Sequence, residues 1–224
     1  NNGAAVSGGS DGSTFFLDTS TAANATIVNS GGYTEFLGSS SAGSSTITSN
    51  GAGAAGAPLG RVIFGGTATA GGATLVSNGG ANGGLGADIE FSQGSDGGTA
   101  RIEITGNGRM DISQENAPGL TVGSIEGGGT VYLGANALTV GSNNVSTTYS
   151  GTMFGVGGAL TKGGTGTLTL SGTNSDSGAT TVTGGKLVIN GSITSTVTVS
   201  GGTAGGATVG GSGTINGSLV NAAT

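Results

Sequence analysis

The segment FLDTSTAANATI, residues 16–27, returns as FLGSSSAGSSTI at residues 36–47 and as FGGTATAGGATL at residues 64–75. Each copy begins with phenylalanine and ends, eleven residues later, with isoleucine or leucine, and Phe91 and Ile102 repeat that spacing. Small residues fill the middle of each copy, so each reads as strand, bend and strand. The full repeat is about 20 to 28 residues long, and repeats of this length are typical of solenoids.

The remaining sequence also has the pattern of β-strands. Polar and apolar residues alternate in the runs RVIF, DIEF, RIEI, RMDI, TVYL, TLTL, TTV and KLVI. NG and GG pairs separate the runs, and no segment has the 3.6-residue period of a helix. A sandwich of antiparallel hairpins fits these local signals. The repeat favours a different all-β fold, a right-handed parallel β-helix (β-solenoid).

In such a solenoid each repeat forms one coil, and equivalent residues of successive coils lie about 4.8 Å apart. Glycine is expected at the corners, where the chain turns and neighbouring coils crowd each other. About ten coils would form a rod roughly 45–50 Å long. The side chains predicted to form the core are Phe16, Phe36, Phe64, Phe91, Ile27, Ile47, Leu75 and Ile102 in the first half and Leu168, Leu170, Val182, Leu187 and Ile189 in the second.

The composition excludes several classes of protein. Glycine supplies 53 of 224 residues, but with only 2 prolines and no glycine at every third position the chain is not a collagen. Frequent β-branched residues and only 7% charged residues argue against disorder. The net charge of −6 and the scattered basic residues predict no nucleic-acid partner. No apolar run approaches the ~20 residues that span a membrane, so this segment is not expected to insert in one.

The segment LTKGGTGTLTLSGTNSDSGATTVTGGKLVING, residues 160–191, resembles the strand repeat of Gram-negative autotransporter passenger domains. That repeat reads roughly L-T-K-x-G-x-G-T-L-x-L-S-G-x-N-x-Y-S-G-x-T-x-V-x-x-G-x-L. The matching residues are Leu160, Thr161, Lys162, Gly164, Gly166, Thr167, Leu168, Leu170, Ser171, Gly172, Asn174, Ser177, Gly178, Thr180, Val182, Gly185 and Leu187. Asp176 departs from the pattern, because it stands where the family usually has an aromatic residue. We therefore expect weaker packing and exposure at this corner.

The segments that flank this motif, from Gly123 to Gly217, resemble the same family. We accordingly divide one continuous solenoid into coils with Phe-containing repeats and Gly/Ala insertions (residues 1–122) and coils of the passenger-repeat type (residues 123–224). The resemblance implies a right-handed parallel β-helix displayed on, or released from, the surface of a Gram-negative bacterium. It implies no particular activity, since such passengers include adhesins, proteases, esterases and stalks.

The chain has few residues with which to do chemistry. The absence of histidine and cysteine excludes Ser-His-Asp and Cys-His catalysis and the zinc sites built on those residues. Clustered carboxylates could still act on glycosides, and Glu90, Glu103 and Asp111 are expected to lie near one another on an outer face. The acids considered are Asp88, Glu90, Glu103, Asp111 and Glu115, with Arg101 and Arg109 nearby. The alternative, which we favour, is a solvated face on which these arginines balance the acids.

Four short motifs have weaker meanings. GGLGADIEF, residues 83–91, matches the start of a calcium-binding nonapeptide, but it occurs once and Glu90 takes an apolar position. GAGAAG, residues 51–56, fits a dinucleotide fingerprint as a string, but a strand follows it instead of a helix. GGK at residues 184–186 lacks the rest of a phosphate loop. Glycan acceptor patterns begin at Asn24, Asn144, Asn190 and Asn216, as chance predicts in such a composition. No catalytic, cofactor-binding or metal-binding residue is assigned.

The sequence therefore predicts a non-enzymatic, extracellular structural solenoid without a cofactor, acting as a cell-surface stalk or as the subunit of a matrix fibre. Neither the start, NNGAAVSGGS, nor the end, GTINGSLVNAAT, resembles a capping repeat, so we expect continuation into a longer rod or end-to-end self-association. An adhesin is the second hypothesis, binding a glycan or protein ligand through long loops or exposed Tyr33, Tyr132 and Tyr149. A carbohydrate-active enzyme using the acids from Asp88 to Asp111 is the third.

Overall fold

The structure is a computed structural model that describes residues 1–2, 11–201 and 206–222. Its regular elements in these ranges are all strands, which stack as a parallel β-solenoid of about nine turns. The all-β, parallel solenoid prediction is therefore confirmed. Residues 3–10 of the start and residues 202–205 of the passenger-like flank lie outside the described residues. The described chain contains no helix with the length and apolar character needed to cross a membrane.

Three sheets form the sides of the solenoid. The first sheet has 10 strands: β1 (Ser13–Phe16), β3 (Tyr33–Phe36), β5 (Arg61–Phe64), β7 (Asp88–Ser92), β9 (Arg109–Gln114), β12 (Thr130–Tyr132), β15 (Thr152–Phe154), β18 (Thr173–Asn174), β21 (Ser192–Ile193) and β24 (Thr214–Ile215). The second sheet has 9: β2 (Thr26–Ser30), β4 (Thr46–Asn50), β6 (Thr74–Ser77), β8 (Arg101–Ile104), β11 (Ser124–Gly127), β14 (Thr147–Tyr149), β17 (Thr167–Leu170), β20 (Lys186–Ile189) and β23 (Thr208–Gly210). The third sheet has 6: β10 (Leu120–Val122), β13 (Ala137–Val140), β16 (Ala159–Lys162), β19 (Thr180–Val182), β22 (Val197–Val199) and β25 (Leu219–Asn221).

The phenylalanine repeat forms a continuous ladder through the first coils. Phe16, Phe36, Phe64 and Phe91 are paired in parallel register, and their rings are stacked with centroids 4.6, 4.8 and 4.8 Å apart. This spacing is the strand separation of a sheet, so each ring packs on its equivalent in the next coil. Aromatic pairing adds about 0.5–1.5 kcal/mol to each contact beyond burial.

One hydrophobic core runs through both halves of the chain. All the predicted core residues belong to it except Phe16 and Ile27, in the first coil, which are partly buried and pack against it. In the first four coils the third side of the core is closed by the small residues at the bends, among them Ser40, Ala42 and Ala68, which are fully buried. Isolated parallel bridges hold these bends together until the third sheet begins at Leu120.

A column of glycines lines the corner between the second and the first sheet. Gly129, Gly151, Gly172, Gly191 and Gly213 occupy it in successive coils. A Cβ at Gly172 would lie 1.9 Å from the carbonyl oxygen of Gly151, and one at Gly191 would lie 2.0 Å from that of Gly172. The crowding predicted at the corners is therefore present, and here close approach of two backbones requires the missing side chain.

The Gly/Ala insertion after β4 pairs with the insertion after β6. The backbone N–H of Ala52 donates to the carbonyl of Leu85 over 2.7 Å, and that of Ala81 donates to Ala52 over 2.9 Å. GAGAAG is therefore a loop, and no helix follows it. The insertions add a layer beside the coil without breaking the ladder, since β4 and β6 remain in register.

Candidate functional site

The predicted acidic group divides between two sides of the solenoid. Glu90 in β7 and Asp111 in β9 are register neighbours on the outer face of the first sheet. Glu103 lies in β8 of the second sheet, where its register neighbour is Glu126. The expectation that Glu103 joins Glu90 and Asp111 is therefore wrong. Each coil contributes successive strands to different sheets, so residues close in sequence are carried to different faces.

Arginines hold most of these carboxylates in ion pairs. The Arg109 guanidinium donates to both oxygens of Asp88, over 2.8 and 3.0 Å. Burial lowers the pKa of Arg109, but its hydrogen bonds and charge attraction to Asp88 outweigh burial and raise the pKa overall. The Arg61 guanidinium donates to Glu90, with its Nε 3.1 Å from the carboxylate. These contacts favour a role in ion pairing over a role as catalytic acid and base. Asp88, the acidic residue of the calcium-like motif, is therefore bound by Arg109.

A second charged group lies on the second sheet. Arg101 pairs with Glu103 at 2.9 Å and also with Glu126 on the next coil. Beyond Glu126 the outward residues become short, and a shallow depression of about 550 Å³ opens there, lined mainly by hydroxyl groups. Within the ranges that the structure describes, no three or more His, Cys, Asp or Glu residues converge as metal ligands.

Glu115 has a structural role in the loop that follows β7. Its carboxylate accepts hydrogen bonds from the backbone N–H of Gly94, from the hydroxyl of Ser95 at 2.9 Å and from the backbone N–H of Asn116 at 2.9 Å. The side chain is almost completely buried. Glu115 therefore ties the loop after β7 to the end of β9, and its oxygens are occupied by the protein itself.

A cleft of about 260 Å³ lies where β7 and β9 end. The residues that line it are Glu90, Phe91, Ser92, Gln93, Asp111 and Gln114. Tyr132 and Phe154 continue the column of Glu90 and Asp111 along the two following coils. Their rings are stacked with centroids 4.8 Å apart, and Phe154 is 37% exposed. This cleft and the aromatic pair beside it form the candidate site.

Of the three tyrosines predicted to be exposed, Tyr149 is buried. It points into the core from β14, and its hydroxyl donates toward the carbonyls of Gly129, at 2.8 Å, or Thr152, at 2.9 Å. Burial raises the pKa of Tyr149 above its usual value. Its register neighbour is Leu170, a predicted core residue, so aligning TTY with LTL would have revealed its direction. Tyr33 and Tyr132 are partly exposed.

The expectation that Asp176 is exposed is also wrong, because only 2% of this residue is accessible to solvent. It lies in the corner between β18 and β19, where the flanking residues Ser175 and Ser177 are hydrogen bonded to the previous coil. Its Oδ2 is buried without a hydrogen-bond partner, as is the Oδ1 of Asn174 two residues before it. Burial raises the pKa of Asp176 to about 6.

Asp176→Asn is expected to stabilise the protein by about 2 kcal/mol at pH 7.5 and by much less at pH 4. The folded state holds the Asp176 proton up to a pKa of about 6, whereas the unfolded chain releases it near 3.8. The contribution of protonated Asp176 to the free energy of unfolding is therefore fully present below about pH 4, and it is lost as the pH rises through about 6. Thermal unfolding of both proteins at the two pH values measures the difference.

Asp18→Asn, at an exposed turn, is the matched control and is expected to change stability by less than about 0.5 kcal/mol at either pH. An Asp176→Asn variant that is less stable than the parent at pH 7.5 would contradict the cost assigned to burying this carboxylate.

Lys162 is a buried charge that sequence reasoning did not identify as such. It points inward at the position held by Val140 and Val182 in the neighbouring coils. Its ammonium donates to the carbonyl of Gly163 and, over 3.3 Å, to that of Gly184. Burial lowers the pKa of Lys162. The sequence signal that could have found it is the alignment of LTK, which ends at Lys162, with LTV and TTV in the neighbouring coils. This alignment places the lysine at a position that core valines occupy.

Comparison with protein families gives a match to the family described as Passenger-associated-transport-repeat, over residues 160–189. These residues therefore form an autotransporter passenger repeat, as the resemblance predicted. The match contains β17, β18 and β19, one strand from each sheet, together with β20 and most of β16. Comparison with curated proteins and with solved structures gives no match.

Proposed function

We propose, from the passenger repeat at residues 160–189, that this chain is the rod-forming part of an autotransporter passenger domain and acts without catalysis as a stalk at the surface of a Gram-negative bacterium. The observation that carries the proposal is that the repeat is continuous with the rest of the solenoid. Its strands pair in register with coils on both sides, and its apolar residues belong to the single core.

A rod of this kind derives its strength from its backbone. Every coil pairs with its neighbours along two or three sheets, so the hydrogen bonds run parallel to the rod axis. Nine turns at about 4.8 Å give a rod of roughly 45 Å. Only 7% of the residues are charged, so the surface has few reactive side chains. A rod held by backbone hydrogen bonds and poor in reactive groups suits a spacer.

We also propose that the solenoid pairs end to end with a second copy of the chain. In β25, Leu219 and Val220 are exposed on the last coil described. A strand edge with apolar neighbours readily accepts another strand. Head-to-tail pairing of this type grows filaments and does not close into rings.

Surface display tests the stalk proposal. The chain would be fused to the membrane barrel of an autotransporter in a Gram-negative host, with an epitope tag ahead of Asn1. We expect the tag to be labelled by antibody on intact cells and to be removed by external protease. A tag that is labelled only after the outer membrane is opened would contradict the proposal.

Adhesion is the second candidate function, and the exposed aromatic pair Tyr132 and Phe154 favours it. A stacked aromatic pair on the outer face of the rod is a feature that a spacer does not need.

A further inference from the structure

We propose that the outer face of the first sheet binds an oligosaccharide that carries hydroxyl or amino groups, in the cleft between β7 and β9 and against the ring of Tyr132. This inference does not depend on the stalk function, and it rests on the adhesion candidate, for which it names the class of ligand. It rests on the shape of the cleft, on the rigidity of its walls, on the aromatic surface beside it and on the charge of the face.

The cleft is formed by an irregularity in an otherwise regular sheet. Pairing of β7 with β9 is in register at Glu90 and Asp111 but shifts before Ser92 and Gln114. Gln93, just after the shift, has a φ of 63° although it is not glycine, and its N–H donates to the carbonyl of Gln114 over 3.1 Å. The shift turns both glutamine side chains outward at the ends of their strands. Such bulges commonly redirect side chains next to ligand sites.

The walls of the cleft are held before any ligand arrives. Glu115 binds the backbone of Gly94 and the hydroxyl of Ser95, which fixes the loop that carries Gln93. The Ser95 hydroxyl in turn accepts a hydrogen bond from the N–H of Ser92 over 3.1 Å. A site with fixed walls loses little conformational entropy on binding, which favours recognition of a weakly binding ligand such as a sugar.

The aromatic pair supplies a stacking surface at one end of the cleft. Tyr132 follows Asp111 in register, so the two lie about one strand spacing apart, near 4.8 Å. Phe154, on the next coil, covers one face of the Tyr132 ring. The opposite face of that ring is therefore directed toward Asp111 and the cleft. The apolar face of a pyranose ring packs on an aromatic face of this kind while its hydroxyl groups remain at the edge.

The polar groups of the cleft match the edge of a sugar. Gln93 and Gln114 each carry an amide that both donates and accepts, and Asp111 accepts. One oxygen of Asp111 takes the N–H of Ser113 over 2.9 Å, which leaves the other for a ligand. Vicinal hydroxyl groups need donors and acceptors together, and amides next to a carboxylate provide them.

The charge of the face selects against acidic sugars. Arg61 and Arg109 are engaged by Glu90 and Asp88. In the part of the chain that the structure describes, Asp111 forms no ion pair, although the Arg109 guanidinium attracts it. The two arginines face three carboxylates, those of Asp88, Glu90 and Asp111, so the face keeps a negative charge. The net charge of −6 has the same sign. Amino sugars should therefore bind more tightly than neutral ones, helped by attraction of an ammonium to the Tyr132 ring.

Calorimetric titration of the purified full chain with three hexasaccharides tests the proposal: glucosamine hexamer, cellohexaose and galacturonic acid hexamer. We expect saturable binding of the first two, with the glucosamine hexamer at least about threefold tighter, and no binding of the acidic probe. Tyr132→Ser should weaken binding about tenfold. Asp111→Asn should reduce the preference for the glucosamine hexamer over cellohexaose to less than about twofold.

Phe15→Ser is the matched control, because Phe15 is an exposed aromatic residue on the same sheet that also packs against a tyrosine, Tyr33, but lies away from the cleft. It should leave binding unchanged. Circular dichroism of each variant checks the fold. The proposal is overturned if neither of the first two probes binds saturably, if the galacturonic acid hexamer binds most tightly, or if Phe15→Ser weakens binding as much as Tyr132→Ser.

Discussion

Phe64→Asp is expected to abolish folding. Phe64 is fully buried between the rings of Phe36 and Phe91, with both centroids 4.8 Å away. Losing a buried phenylalanine costs about 3–5 kcal/mol, and burying a carboxylate there adds several more. The sum is comparable to the roughly 5–15 kcal/mol that stabilises a typical domain. Circular dichroism and thermal unfolding would show loss of the β-sheet signal and of the cooperative transition.

Two further variants separate the effect of a buried charge from that of a lost ring. Phe154→Asp makes the same exchange on the outer face and is expected to cost less than about 1 kcal/mol. Phe64→Leu removes the ring but keeps an apolar side chain, and it should remain folded while losing about 1–2 kcal/mol. If Phe64→Asp melted like the parent, the inward direction of the phenylalanine ladder would be wrong.

Gly172→Ala has the second largest expected effect, a loss of about 3 kcal/mol. The new methyl group would lie 1.9 Å from the carbonyl oxygen of Gly151 and 2.6 Å from that of Ser150. Both contacts are with backbone, which cannot move without separating two coils that are hydrogen bonded along their length. Urea unfolding followed by circular dichroism measures the loss as a lower midpoint at an unchanged slope.

Gly53→Ala is the control for the crowded corner. Gly53 lies in the inserted loop after β4, and a Cβ there would meet nothing within 4 Å. Its stability is expected to stay within about 0.5 kcal/mol of the parent. Equal losses in Gly53→Ala and Gly172→Ala would mean that the effect comes from glycine flexibility in general and not from close packing of coils.

The periodic parts of the fold were predictable from sequence, because a ladder repeats the same residue in the same environment. Phe36, Phe64 and Phe91 share a spacing to their partner residues, and that spacing alone placed them in one column. Glu103 was assigned to the wrong sheet for a related reason. Sequence spacing fixes the order of strands, but the length of each corner decides which side of the solenoid a strand occupies.

The inward polar residues could not be predicted from polarity. Asp176, Lys162 and Tyr149 are all buried, although each has a polar group that favours water. Register decides their direction, since each takes the position of an apolar residue in a neighbouring coil or a place in a corner. Tyr149 and Lys162 donate to backbone carbonyls at the core boundary, whereas the Oδ2 of Asp176 has no hydrogen-bond partner.

The candidate sugar site was the least visible feature. Asp111 and Tyr132 are separated in sequence by a third-sheet strand and a second-sheet strand, and only stacking of whole coils brings them together. The shift of register between Glu90 and Ser92 has no sequence signature that we recognise, because neither glycine nor proline marks it.

Cysteine cross-linking tests most directly whether successive coils lie on one another in the proposed register. The chain has no cysteine of its own. Thr46 and Thr74 are register partners on adjacent coils, whereas Thr26 lies one coil further from Thr74 in the same column. Disulfides need Cα atoms within about 7 Å, which adjacent coils satisfy and coils about 9.6 Å apart do not. Under mild oxidation we expect an intramolecular disulfide in Thr46→Cys/Thr74→Cys and free thiols in Thr26→Cys/Thr74→Cys; the reverse result, or no disulfide in the first pair, would contradict the solenoid.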